Sequence, residues 1–118
     1  MEGTPDLAAL QARLARFRDE REWARFHTPG NLAKAISVEA AELLEHFLWV
    51  AGEEEVAAVD ARRGEVEAEL ADVLIQCLNF AAATGIDVVE AVSRKIDRNE
   101  QRYPAEKARG TSAKYTEL

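Results

Sequence analysis

Glu39, Glu42, Glu69 and Asp72 are the residues of this chain whose types and spacing can do chemistry together. Glu39-Ala40-Ala41-Glu42 and Glu69-Leu70-Ala71-Asp72 each set two carboxylates three residues apart. On a helix that spacing puts both on one face, about one turn from each other. Two such helices side by side would hold a divalent metal. Carboxylates are hard oxygen ligands, suited to Mg²⁺ or Mn²⁺ and poorly to zinc or copper. Magnesium is usually shared between carboxylates and substrate phosphates, so an open cluster suggests phosphate transfer or hydrolysis. A ferritin-like di-iron centre wants Glu-x-x-His on its helices; His46 follows Glu42 by four and Glu45 by one, so that pattern is missing.

The phase of the acids matters more than their number. Leu32, Ile36, Leu43, Phe47 and Val50 form an apolar stripe at helical spacing. Glu39 lies only about 60° from Ile36, and Glu42 about 60° further round, at roughly 100° per residue. A helix packed through Ile36 and Leu43 points Glu39 inward. The second stretch repeats the arrangement, with Val66, Leu70, Val73, Cys77 and Phe80 as the stripe and Glu69, Asp72, Gln76 and Asn79 along its flank. Ionised carboxylates near a core are costly unless paired or bound to a cation. Among 22 acidic residues, single pairs at this spacing arise by chance, as at Asp19/Glu22, Glu42/Glu45 and Asp87/Glu90, and a lone pair is usually a solvated face. Two pairs in or beside the apolar phase favour metal.

The elements that must position these acids are helices. The first is expected from Thr4 as N-cap, with Pro5 at its first position, through Leu7, Leu10, Leu14 and Phe17 to about Phe26. His27-Thr28-Pro29-Gly30 breaks it, and Asn31 caps a second helix that continues to Ala51 and stops at Gly52. Glu53 to Arg63 reads as a connector with at most a short helical turn. A third helix runs from near Gly64 to about Thr84, with Gly85 as its stop. Asp87 with Glu90 makes a capping box for a fourth, striped by Val89, Val92, Ile96, Asn99 and Tyr103 and ended by Pro104. The tail from Ala105 to Leu118 has no helical period. The fold class is all-α, a four-helix bundle in one domain over 1–118, whose thin core subunit packing would complete.

Composition narrows the function. The chain is 47% hydrophobic, 31% charged and 7% aromatic, a globular balance. A net charge of −7 and a pI near 4.9 argue against nucleic-acid polymers, which need a basic stripe. Cys77, the single cysteine, excludes an internal disulfide and reads as a small buried hydrophobe. No apolar run approaches the ~20 residues that span a bilayer. The acidic start Met1-Glu2-Gly3-Thr4-Pro5-Asp6 lacks the regions of a signal peptide, so the cytoplasm is the expected location.

The paired acids resemble the signature of the MazG-like all-α nucleoside triphosphate pyrophosphohydrolases, a Glu-x-x-Glu helix followed after a variable connector by Glu-x-x-Asp. The likeness is strongest to the dCTP pyrophosphatase branch. It extends through Arg21-Glu22-Trp23-Ala24-Arg25-Phe26-His27, Asn31-Leu32, Phe47-Leu48-Trp49, Lys95-Ile96-Asp97-Arg98-Asn99, Gln101-Arg102-Tyr103-Pro104 and Lys114-Tyr115-Thr116-Glu117-Leu118. It implies hydrolysis of a (deoxy)nucleoside triphosphate, dCTP or a modified dCTP first, to monophosphate and pyrophosphate in nucleotide-pool house-cleaning. It also implies a homo-oligomer, a tetramer above all, and Mg²⁺ held by Glu39, Glu42, Glu69 and Asp72, with Glu45 or a metal-bound acid as base.

Other residues have divided readings. Trp49, seven after Glu42, would share its helical face and stack a base, or else pack in the core or an interface; Trp23 is a second candidate. Lys95, Asn99 and Tyr103 line one face able to contact phosphate or sugar, and Asn99 in an apolar phase needs a buried partner. Lys95 is otherwise a solvated charge. His27 beside Pro29 reads as a turn residue, and Lys107, Arg109 and Lys114 as phosphate clamps, subunit contacts or a solvated tail. Animal relatives of the dCTP branch carry histidine at Leu14 and tyrosine at Gln76. Gln76, one turn past Asp72, could instead hydrogen-bond a base or a metal-bound water. The alternatives are a dUTP or broad-specificity triphosphate pyrophosphatase and, from another class, a non-catalytic helical interaction module.

Overall fold

The computed structural model describes residues 3–118, so Met1 and Glu2 of the acidic start lie outside it. Six α-helices follow one another: α1 (Leu7–Glu20), α2 (Pro29–Glu45), α3 (Glu54–Ala61), α4 (Arg63–Thr84), α5 (Val88–Arg102) and α6 (Ala105–Ala108). No strand occurs among the described residues. The chain forms two compact units, one closing at Gly85 and the other spanning Ile86–Leu118. In the first, α4 packs along α2, with α1 and α3 also against it.

The all-helical expectation holds, with boundaries moved by local chemistry. Asp6, and not Thr4, caps α1, its carboxylate accepting from the Ala9 N–H at 2.8 Å; an anionic acceptor at the positive helix end outdoes a hydroxyl. α1 stops at Glu20, well before Phe26. The Trp23 N–H reaches back to the Arg18 carbonyl (2.9 Å) and the Glu22 N–H to Asp19 (3.1 Å), while Glu22 takes φ 54°. This is a Schellman closure with glutamate in the left-handed seat usually given to glycine. α2 begins three residues earlier than its glycine and proline suggested. Thr28 is the cap, accepting from Asn31 N–H at 3.2 Å, and Pro29 takes the first turn, where its missing N–H costs nothing. Asn31 instead donates to the Phe26 carbonyl.

α2 also ends early, at Glu45. Bonds of the i→i−3 kind from Phe47, Leu48 and Val50 tighten the chain into turns, and Trp49 adopts φ 64°. The acidic connector is a genuine helix, α3, with Glu54 and Glu55 in its first turn, where negative charge suits the helix dipole. α4 and α5 match the sequence closely. Gly85 closes α4 at φ 70°, and the Asp87 carboxylate accepts from Glu90 N–H at 3.1 Å. The tail holds one turn of helix after Pro104, and a 3₁₀ turn sets Tyr115 edge-on to Tyr103 at 6.0 Å.

The interior is small. Leu32 and Ala81 are the only buried hydrophobic residues among those described, while the Val89, Val92 and Ile96 stripe of α5 is more than half exposed. Ile36, Leu43, Phe47 and Val50 are half-buried, as are Val66, Val73, Cys77 and Phe80; Leu70 is exposed. No helix among the described residues is long and apolar enough to cross a membrane.

Candidate active site

α2 and α4 bring the four acids onto facing surfaces. Glu39, Glu42 and Glu69 are half-buried and Asp72 is exposed. Glu39 feels all the others: its carboxyl is pushed above the usual range, first by burial, then by Glu42, Asp72 and Glu69. Oε2 of Glu39 and Oε2 of Glu69 are buried without a hydrogen-bond partner. In an all-carboxylate set the orphaned buried oxygen of Glu39 fits a hard divalent cation, while Oε2 of Glu69 lies against His46. Among the described residues, no three acidic, histidine or cysteine side chains close into an ion-sized cage, so the arrangement is an open frame.

Beside this frame lies a cleft of about 510 Å³ between α1 and α4. Asp72, Ile75, Gln76 and Asn79 form its α4 wall; Leu10, Arg13, Leu14, Phe17 and Arg18 form the α1 wall; Trp23 and His27 complete it. The early end of α1 makes this lining. The Schellman turn folds Trp23 back onto Phe17, edge-to-face at 5.7 Å, the apolar contact that such a closure favours. Arg21 lies over the other ring, 3.6 Å from the Phe17 centroid. Arg18 is held by Asp19, its Nε donating to Oδ1 at 2.8 Å, which keeps Asp19 below its ordinary pKa. On α4, Asn79 donates to Oε1 of Gln76.

The structure thus gathers Glu39, Glu42, Glu69 and Asp72 and puts Trp23 and Gln76 with Asp72 in one cleft. It does not place Trp49 on the face of Glu42. The helix ends before it, and Trp49 is 100% exposed, neither core-packed nor lining the cleft. Glu45, on the last residue of α2, is exposed and lines a separate hollow with His46 and Arg62. Lys95, Asn99 and Tyr103 belong to the second unit. Asn99 is exposed and not buried as its phase suggested. Sequence reasoning missed Arg13, Phe17, Arg18 and Asn79 as cleft residues; the one-turn steps Arg13–Phe17 and Gln76–Asn79 were the available signal. It also missed His46, which extends the Glu39–Glu42 face by one more turn and touches Glu69.

Comparison with known proteins agrees with this geometry. The MazG-like family matches residues 34–118. The chain is 42% identical over 116 residues to dCTP pyrophosphatase 1 of Homo sapiens and 40% to that of Mus musculus. Each alignment covers 97% of this chain and 68% of the relative. A crystal structure of a pyrophosphatase from Archaeoglobus fulgidus superposes with a TM-score of 0.81 at 45% identity, covering 88% of this chain and 97% of that one. With the paired acids and the all-helical frame, these likenesses place the chain in the MazG-like family.

Proposed function

We propose that this protein is a nucleoside triphosphate pyrophosphohydrolase acting on dCTP or a modified dCTP. Asp72 carries the reading: it belongs to the acid cluster and to the wall of the aromatic cleft, so phosphates and base have adjoining places. Glu39, Glu42, Glu69 and Asp72 would hold Mg²⁺, with Mn²⁺ as a substitute. When bound there, the cation would neutralise the phosphates and lower the pKa of a bound water. Arg13 and Arg18 offer guanidinium groups for phosphate oxygens, and Phe17 and Trp23 offer ring faces and edges for the base. A carboxylate of the cluster accepts the proton of the attacking water; Glu45, which lines a separate hollow, is not placed for that role. As the water oxygen forms a new bond to phosphorus, the bond between the α- and β-phosphates breaks, and monophosphate and pyrophosphate leave.

The names of the mouse and human relatives support dCTP. A second reading, dUTP or broad triphosphate use, is favoured by Leu14 and Gln76 in the cleft wall. Leucine offers no hydrogen bond to a base edge, and an amide can present either a donor or an acceptor. Lys95, Asn99 and Tyr103 serve as a phosphate- and sugar-contacting face.

The working state is a homo-oligomer, a tetramer first. Its support is the small interior and the exposure of Leu44, Trp49 and Leu74, apolar side chains that association would cover. Sedimentation showing only a monomer would remove that part. House-cleaning of the nucleotide pool assigns it to the cytoplasm. The deciding test is pyrophosphate release from a panel of deoxy- and ribonucleoside triphosphates, with and without Mg²⁺. Mg²⁺-dependent release from dCTP supports the reading; no release from any triphosphate returns the chain to a helical interaction module.

A further inference from the structure

His46 stands at the C-terminal cap of α2 with its backbone still right-handed helical, φ −66° and ψ −16°. It therefore continues the face of Glu39 and Glu42, seven and four residues back. Its side chain is 8% exposed, and Nε2 is in contact with Oε2 of Glu69 across the packed pair α2 and α4. That contact is not an aligned hydrogen bond, since Oε2 of Glu69 still lacks a donor, and His46 Nδ1 is buried without a partner. A buried imidazole against a buried carboxylate oxygen is costly unless the two satisfy each other.

We infer that His46 is a positioning residue for Glu69, its Nε2–H donating to Oε2 so that Oε1 is the oxygen left for a cation. This rests on the metal-dependent reading above. A group that hydrogen-bonds the far oxygen of a ligating carboxylate fixes its orientation, and its loss typically weakens metal binding about 10–100-fold. The burial of His46 at the end of α2 is then explained by Glu69 and not by core packing. His46 also lines a hollow with Glu45 and Arg62, and among the described residues neither hydrogen-bonds it.

The test is Mn²⁺ binding to the metal-free chain without nucleotide, followed by the electron-spin signal of free Mn²⁺. His46→Ala should weaken binding about 10–100-fold, and His46→Gln, whose amide N–H reaches a similar position, should restore most of it. In a Glu69→Gln background, His46→Ala should add nothing. Wild-type affinity in His46→Ala, a loss that persists in the Glu69→Gln background, or the nitrogen coupling of a directly bound imidazole would each overturn the inference. Pyrophosphate release by the wild type separates the two proposals. An active enzyme indifferent to His46→Ala sinks the positioning role alone. A His46-dependent Mn²⁺ site on a chain that cleaves no triphosphate keeps that role and sinks the proposed activity.

Discussion

Asn79 donates its side-chain amide to Oε1 of Gln76 at 3.3 Å, one turn apart on α4, with both residues in the cleft wall. The bond engages one lone pair of Gln76 Oε1 and leaves the Gln76 NH₂ donor and the Asn79 Oδ1 acceptor without side-chain partners among the described residues. For a base seated with N3 at the Gln76 amine and its position 4 at Asn79 Oδ1, this pair matches the N3 acceptor and exocyclic amine of cytosine and opposes the N3–H and O4 of uracil. Asn79→Ala should free the glutamine to present either end, and the dCTP-to-dUTP ratio of kcat/KM should fall about tenfold, the worth of one hydrogen bond. An unchanged ratio in steady-state assays would show that the amide pair does not read the base.

Asp72→Asn should cost roughly 10²-fold or more in kcat, a loss of the size seen when one preorganised polar group is removed. Asp72 is exposed and makes no side-chain hydrogen bond or ion pair among the described residues. Its melting temperature without metal should therefore stay within a few degrees of wild type. A large fall in that temperature would make the residue structural.

Glu39 gives a pH signature. Because burial and the neighbouring acids raise its carboxyl pKa in the fold, the folded state binds more protons than the unfolded state between the ordinary and the raised value. Stability without metal should fall as pH rises through that window and stay reduced above it. Glu39→Gln removes the effect. In chelator, its melting temperature should exceed that of wild type near neutral pH and converge with it in acid, while its gain from Mg²⁺ should shrink. Parallel wild-type and variant curves across pH would contradict this.

Glu22 sits at φ 54° without the freedom of glycine. The left-handed conformation costs an L-residue about 1–2 kcal/mol, partly offset by the larger unfolded-state entropy of glycine. Glu22→Gly should stabilise the chain by about 0.5–1 kcal/mol in urea unfolding. The fluorescence of Trp23 should be unaltered, since the turn that seats it on Phe17 is kept. Destabilisation would mean that the glutamate side chain matters more than its backbone.

The local elements were legible because short-range chemistry makes them. Helical periodicity, Gly85 as the end of α4 and Asp87 as the cap of α5 all follow from residues within one turn of each other. So did the pairing of acids within each helix, a matter of spacing alone. The boundaries around Trp23 and Trp49 were hidden because Glu22 and Trp49 take left-handed backbone that their side chains do not announce.

Sequence by itself determined that the chain is helical and that Glu39, Glu42, Glu69 and Asp72 sit two to a face. It could not say that α1 would lend Arg13, Phe17 and Arg18 to the cleft, that His46 would reach Glu69, or that Trp49 would stand in solvent. Those depend on how separate helices meet, which packing decides over distances that no local pattern spans. An α-helix turns once in about 3.6 residues, so ending α2 at Glu45 instead of Ala51 removes more than one turn and takes Trp49 off the helix face.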